Sequence, residues 1–455
     1  MKQFLFSLLL TAATMPLATT ALAQQDPSEA PANRPVNPVS APQKFIFVPD
    51  SLKPYNLNDD NARWCWRHSS QTQNIVYFWE KGFGDDTQNP PSLDGKPMKF
   101  DLGNLQTQVE HFYHYFRDTL KFSLPGSICD KYKMMVMINY SLDGTAYGGT
   151  YDDFIGALWV APNRIQDKKL NCLAHELGHS FQLQIMADQA GEAWGGSGFF
   201  EMTSQWMLWR VNPDWLTDEN FHFEAFKNLT HKGFLHLENI YHSPYVIEWW
   251  AEKHGLESIA QLYREGKKGE DPVVTYKRKY GMSQWQFCNE MFEGYRHLVN
   301  FDLQHARKET RRYACTWNTP MQKQADGYLR PANDHVPENY GFNAIPLEVP
   351  QPGKKVGIDF RALEGKEGAY VASKRKLAKG MGYRYGLVAV TADTDECVYG
   401  PMGVITQGDA PVGKLTFVAP RDKKLKALYL VVMGAPTEHS LDPSSRQFPY
   451  EFRVR

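Results

Sequence analysis

The stretch that decides the fold lies in the first half of the chain and reads Leu173-Ala174-His175-Glu176-Leu177-Gly178-His179-Ser180-Phe181-Gln182. On an α-helix, residues four apart share one face, so His175 and His179 can reach the same metal ion. Glu176 follows the first histidine, where its carboxylate can hold a water molecule against that ion. Zinc takes near-tetrahedral ligands, and one helical turn offers two of them. The stretch therefore predicts a zinc-binding helix with Glu176 as general base.

A catalytic zinc site needs a third protein ligand and keeps one position open for water. The position six residues after His179 is Ile185, which excludes the pattern in which a third histidine follows at that spacing. Glu201 is the best choice, because it lies in an apolar helical segment where a carboxylate is costly to bury without a cation. Glu192, in a glycine-rich stretch, is the rival. The predicted ligands of Zn²⁺ are therefore His175, His179 and Glu201.

On these residues the chain resembles the gluzincin clan of zinc metallopeptidases. The resemblance rests on the HELGH motif at 175–179, on Glu201 in a second helix, and on a strand at 156–160 just before the first helix. It covers about residues 60–300, and the chain also resembles secreted bacterial proteins that carry a domain of unknown function. The resemblance implies a zincin-like catalytic domain, in which the strand at 156–160 holds the substrate backbone by strand addition.

The resemblance also implies roles for later residues. A Tyr or His near the start of a later helix stabilises the oxyanion in this clan, which makes Tyr245 and His242 the candidate catalytic donors, with Tyr241 third. In thermolysin, a member of this clan, an Asp four residues after the third ligand orients the first histidine. This chain has Gln205 at that position, a neutral acceptor that raises the basicity of the ligand less.

The first residues have the pattern of a secretory signal peptide at 1–23. Lys2 is followed by an apolar run that ends at an A-x-A site, with cleavage expected after Ala23. The alternative, an N-terminal membrane anchor, fits less well because the apolar part is short and rich in Thr and Ala. Residues 24–45, rich in Pro and Gln, read as a flexible lead-in. The expected location is secreted or periplasmic, with no transmembrane segment.

The composition is that of a globular protein. The 455 residues are 42% hydrophobic and carry a formal net charge of −1, which gives no indication of a nucleic-acid partner. The six cysteines are widely spaced and contain no CxxC, so they form no zinc cluster, although an oxidising compartment would allow disulfides. No sequence feature bears on the oligomeric state.

Periodicity predicts an α+β chain. Residues 46–325 read as a zincin-like domain of a mixed sheet plus a helical subdomain, and residues 326–455 as a β-sandwich of short alternating strands. The elements expected in the first domain are strands at 74–79, 133–140 and 156–160 and helices at 103–120, 199–209, 245–254, 258–265 and 283–313. The pair Gly148-Gly149 is expected in a turn.

The leading hypothesis is a secreted zinc metalloendopeptidase that hydrolyses protein or glycoprotein substrates. An exopeptidase is less well supported, because no exopeptidase motif is visible in the sequence. Two alternatives stay open: a non-catalytic surface or glycan-binding protein on a zincin scaffold, and a zinc amidase that acts on peptidoglycan. The retained Glu176 argues against the first alternative, because a binding protein has no need of a general base.

Overall fold

The computed structural model of the protein describes residues 43–191, 194, 198–366, 369–442 and 446–455. The predicted signal peptide and the lead-in as far as residue 42 lie outside these residues, and so does Glu192. Within the described part of the chain, no helix is long and apolar enough to cross a membrane.

Along the chain, most of the helices come after the strands of the first sheet and before the C-terminal strands. They are α1 (Leu102–His114), α2 (Ile128–Lys131), α3 (Asn171–Ala187), α4 (Phe199–Val211), α5 (Trp215–Asp218), α6 (Asn220–Leu229), α7 (Tyr245–His254), α8 (Ser258–Glu265), α9 (Pro272–Lys279), α10 (Gln284–Leu298) and α11 (Arg307–Thr310).

The strands fall into an N-terminal and a C-terminal group. The first group is β1 (Ser69–Gln71), β2 (Ile75–Trp79), β3 (Met134–Ile138), β4 (Ala146–Tyr151) and β5 (Ile155–Val160). The second is β6 (Met321–Lys323), β7 (Leu329–Pro331), β8 (Phe342–Pro346), β9 (Lys355–Lys366), β10 (Ala369–Ala372), β11 (Tyr383–Thr391), β12 (Cys397–Ile405), β13 (Val412–Val418), β14 (Leu425–Gly434) and β15 (Tyr450–Val454).

The N-terminal strands form one mixed sheet in the order β1-β2-β3-β5-β4. Strands β2, β3 and β5 are parallel, and all residues of β2 and β3 are buried, as is typical of strands covered on both faces. Strand β4 runs antiparallel to β5 and forms one edge of the sheet. Helix α3 lies against this edge and carries the HELGH motif.

Several helices begin where the sequence supplies a side chain for the unpaired backbone N–H groups. The Asp101 carboxylate accepts from the Asn104 amide at the start of α1, and Asp271 does the same for Val274 at the start of α9. Helix α10 begins with a capping box between Ser283 and the residue three positions later. These local signals fix helix starts independently of the tertiary packing.

The C-terminal strands form two antiparallel sheets. One contains β10-β9-β15-β7-β6 with β13 paired to β9, and the other has the order β12-β11-β14-β8. Side chains from both sheets, among them Phe360, Tyr385 and Phe452, share one hydrophobic core. The other face of the four-stranded sheet packs on the helices, where the Phe342 ring stacks on Tyr295 with centroids 4.2 Å apart. The larger core of the protein therefore continues from the helices onto this sheet.

The structure differs from the predicted elements in two places. The helix expected over 283–313 ends at Leu298, because the chain turns at 299–306 before the short α11. The Gly148-Gly149 pair lies inside β4 instead of in a turn, so the strand at 156–160 has neighbours on both sides and cannot be a free edge. Strand β4 is the edge strand beside the HELGH helix.

Candidate metal centre

Three predicted ligand side chains converge at the junction of α3 and α4. The Nε2 atoms of His175 and His179 lie 3.1 Å apart, and the Glu201 Oε2 atom lies 3.1 Å from each of them. Ligand atoms placed tetrahedrally about 2.0–2.1 Å from a zinc ion would be about 3.3 Å apart. Among the described residues, this trio is the one group of three His, Cys, Asp or Glu side chains close enough to share a metal ion.

The His175 ring is oriented by Gln205. Its Nδ1 atom lies 2.8 Å from Gln205 Oε1, and the amide of Gln205 is itself fixed because its Nε2 donates to the Tyr241 carbonyl at 3.0 Å. An amide oxygen only accepts, so Nδ1 of His175 must carry the proton. Nε2 is therefore the ring nitrogen that faces Glu201 and His179 and is left to bind a metal ion.

The His179 ring is oriented in the same way by Gln182, a residue that was not predicted from the sequence. Nδ1 of His179 lies 3.0 Å from Gln182 Oε1, while Gln182 Nε2 donates to the Phe200 carbonyl at 2.9 Å. The Nε2 lone pair of His179 therefore also faces the shared point. The sequence did contain a signal for this contact, because Gln182 follows His179 by three residues on the same helix and so shares its face.

The charges where His175, His179 and Glu201 meet favour a cation. Burial by itself raises the pKa of Glu201, but hydrogen bonding to His175 and His179 outweighs it and holds the pKa well below its usual value. Burial lowers the pKa of His179, yet the Glu201 carboxylate outweighs it and raises the pKa. Two nitrogen lone pairs and an oxyanion at 3.1 Å need a proton or a metal ion between them. The donor set of two imidazoles and one carboxylate fits a zinc ion.

Two glycines allow this close assembly. A Cβ atom on Gly178 would lie 2.6 Å from Ser204 Oγ, so the glycine of HELGH lets α4, and with it Glu201, approach α3. A Cβ atom on Gly148 would lie 1.8 Å from the Glu176 carbonyl oxygen, so β4 can approach α3 only with glycine at 148.

The Glu176 carboxylate is held by the edge strand. Its Oε2 atom accepts a hydrogen bond of 2.8 Å from the backbone N–H of Gly148. Glu176 lies on α3 between His175 and His179 and is half-buried. The carboxylate is thereby held against β4, the edge strand of the sheet, by the helix that also carries His175 and His179.

The candidate oxyanion donors lie in different surroundings. The Tyr241 ring centroid is 6.2 Å from that of His175, and its hydroxyl lies near enough to Glu201 for that carboxylate to raise the pKa of Tyr241. Burial and the negative charge of Glu201 raise the pKa of Tyr241, so its hydroxyl keeps its proton and can donate at neutral pH. The side chain is 43% exposed, which leaves it accessible to a substrate.

Tyr245, the first of the predicted donors, is placed differently. It is 3% exposed and packs against Trp209 and Phe226, and its buried hydroxyl has no hydrogen-bond partner among the described residues. A side chain enclosed in this way cannot donate to a substrate. Of the two tyrosines, Tyr241 is the one that is both near His175 and accessible.

His242 lies beside the ligand network but contacts it indirectly. Its Nδ1 atom is 2.7 Å from Nδ1 of His222, whose Nε2 atom is 3.3 Å from Gln205 Nε2. The predicted donor His242 is thus joined to His175 through two other side chains. His222 was not identified from the sequence, because nothing in its local pattern distinguishes it from other helical histidines.

The chain was compared with solved structures, curated proteins and protein families. The solved structures that match include a xylan-binding domain of CBM22, with a TM-score of 0.19 and 13% identity over 30% of this chain and 78% of that one. Another is the CBM22-1-GH10 part of a Clostridium thermocellum endo-1,4-beta-D-xylanase, with a TM-score of 0.19 and 8% identity over 30% of this chain and 23% of that one.

Because these TM-scores are far below 0.5, no conclusion about fold or ligand follows from them. No curated protein matches the chain. The family of unknown function DUF6055 matches residues 38–455, nearly the whole of the sequence. The chain is therefore a member of the DUF6055 family.

Proposed function

We propose that the protein is a secreted zinc metalloendopeptidase. The observation that carries the proposal is the convergence of three lone-pair donors, His175, His179 and Glu201, at 3.1 Å from one another. A zinc ion held there would supply Lewis-acid polarisation of a carbonyl and activation of a water molecule. The proposal of secretion rests on the sequence pattern of residues 1–23.

The side chains around the triad have complementary roles in this proposal. Glu176, held by the Gly148 amide, takes a proton from the attacking water and passes it to the leaving amine. The Tyr241 hydroxyl donates a hydrogen bond to the oxyanion that develops on the scissile carbonyl.

Strand β4 would bind the substrate backbone. The pairing with β5 directs the backbone groups of Tyr147, Gly149 and Tyr151 towards β5, as the neighbouring bond from the Ala161 amide to the Thr145 carbonyl indicates. The backbone groups of the alternate residues Ala146, Gly148 and Thr150 therefore point away from β5, and among them the Gly148 amide already donates to Glu176. An extended peptide can add to this edge by main-chain hydrogen bonds, which is an economical way to bind many protein sequences.

Zinc content tests the site directly. Purified full-length protein should contain about one zinc ion per chain by elemental analysis, and Glu201→Ala should bind zinc at least about 100-fold more weakly, because two imidazoles alone leave the site incomplete. Zinc affinity is measured by competition with a chelator, and thermal unfolding of both proteins controls for misfolding. Unchanged zinc binding in the variant would contradict the assignment of Glu201 and point to Glu192. No zinc in either protein would leave the non-catalytic binding hypothesis.

A tyrosine pair tests the oxyanion donor. Tyr241→Phe should lower kcat for peptide hydrolysis by about 100-fold with little change in KM, because the lost hydrogen bond forms mainly in the transition state. Tyr245→Phe is the matched control: it removes a buried hydroxyl without a described partner, so kcat should stay unchanged and stability should rise by about 1 kcal/mol. Steady-state kinetics and thermal unfolding measure both effects. The reverse result would return the role to Tyr245.

A further inference from the structure

One buried amide contacts both the ligand helix and the segment that carries Tyr241. Gln205 is 3% exposed and lies on α4 one turn after Glu201. Its Oε1 atom accepts from His175 Nδ1 at 2.8 Å, and its Nε2 atom donates to the Tyr241 carbonyl at 3.0 Å. The acceptor end of the amide therefore orients a predicted metal ligand, and the donor end holds the backbone of the predicted oxyanion donor.

The same amide also determines which ring nitrogens carry the protons in the pair His222 and His242. Gln205 Nε2 lies 3.3 Å from His222 Nε2, which must accept and so leaves the His222 proton on Nδ1. His222 Nδ1 then donates to His242 Nδ1 at 2.7 Å. Burial lowers the pKa of both imidazoles, which supports a neutral pair in this arrangement. The hydrogen bonds thus run from His175 through Gln205 and His222 to His242, the residue after Tyr241.

We propose that Gln205 is a positioning residue that couples the orientation of the metal ligand His175 to the placement of the segment 236–243, which presents the Tyr241 hydroxyl. An amide can do both, whereas a carboxylate at this position could accept from His175 but could not donate to the Tyr241 carbonyl. The inference deepens the proposed function, on which it rests for the role of Tyr241. It explains why this position holds a neutral Gln. A carboxylate would be the stronger acceptor if orienting His175 were the only requirement.

The variant Gln205→Glu isolates the donor end of the amide. It is nearly isosteric and keeps an acceptor for His175, but it sets a carboxylate oxygen against the Tyr241 carbonyl. Gln182→Glu is the matched control. It makes the same change beside the other ligand histidine, where the amide Nε2 contacts Phe200 and Ser204 of α4 instead of the segment 236–243.

Hydrogen exchange of the full-length protein, followed by mass spectrometry, gives a readout that does not depend on activity. The amides of Asn239, His242 and Ser243 are hydrogen-bonded within the segment and report on its opening. In Gln205→Glu, exchange over 236–243 should be about tenfold faster than in the wild type, with or without Zn²⁺, as expected when a buried carbonyl loses its donor. In Gln182→Glu, exchange over this segment should stay at the wild-type rate.

Wild-type exchange in Gln205→Glu, or equal acceleration by both variants, would overturn the coupling. Peptide cleavage by the wild type, measured separately, distinguishes this result from the fate of the proposed function. A wild-type protein that cleaves no peptide, together with acceleration specific to Gln205→Glu, would remove the peptidase proposal and keep the positioning role. Peptide cleavage by the wild type without that acceleration would keep the peptidase proposal and remove the positioning role.

Discussion

Glu176→Gln should lower kcat/KM for peptide hydrolysis by about 1,000-fold while the protein still holds about one zinc ion per chain. Glutamine is nearly isosteric, and its side-chain oxygen can still accept the hydrogen bond from the Gly148 amide. It cannot take a proton from water, so the loss reports general-base catalysis and not a displaced side chain. Initial rates on a quenched-fluorescence peptide library, with zinc analysis of the same samples, measure both quantities.

The control for this experiment is a carboxylate that lies on the surface. Glu224→Gln on α6 removes the same charge from an exposed position and should keep the wild-type rate. Activity of Glu176→Gln within about tenfold of the wild type would contradict the proposed role of Glu176, because removal of a general base costs at least about 100-fold. Release of peptidoglycan fragments, abolished by the same variant, would instead favour the amidase alternative.

Gly148→Ala should destabilise the protein by about 3 kcal/mol and lower its activity. The added methyl group would lie 1.8 Å from the Glu176 carbonyl oxygen and 2.6 Å from its carbonyl carbon, and these are backbone atoms that cannot rotate away. Either β4 or α3 must shift, and both movements disturb the contact that holds the Glu176 carboxylate. Denaturant unfolding measures the stability, and peptide hydrolysis at a temperature where both proteins are folded measures the activity.

The neighbouring glycine is the matched control for that variant. A Cβ atom on Gly149 would point to the opposite face of β4 and meet the Tyr147 ring at 2.9 Å. Tyr147 is 57% exposed and can rotate, so Gly149→Ala should change the stability by less than about 1 kcal/mol. Equal destabilisation by the two variants would show that the close approach of β4 to Glu176 is not what requires glycine at 148.

Much of the local structure was predictable from short patterns. The helices at 245–254 and 258–265 and the strands at 74–79 and 156–160 agree with the structure within one residue, because hydrophobic periodicity reports local geometry directly. The helix expected over 283–313 was too long, since its apolar residues continue past Leu298 although the chain turns there. Those later side chains are buried by tertiary packing and not by a continuing helix.

The two candidate oxyanion donors show where local patterns were insufficient. Tyr245 is the first residue of the apolar helix α7, and Tyr241 lies four residues before it. Which hydroxyl faces the ligands depends on how the turn before α7 enters the helix and on the contacts of Trp209 and Phe226, which come from other helices. No spacing rule within the segment contains that information.

The sequence by itself predicted the candidate ligand pair and the candidate base, because the spacing of His175 and His179 on a helix is fixed by backbone geometry alone. It also indicated Glu201, because a carboxylate in an apolar helix needs a partner of opposite charge. Only the tertiary structure decided that β4 is the edge strand, that Tyr241 faces the ligands and that Gln205 joins them. Each of these depends on which distant segments pack together, and that choice is made by the shared core rather than by any one stretch of the chain.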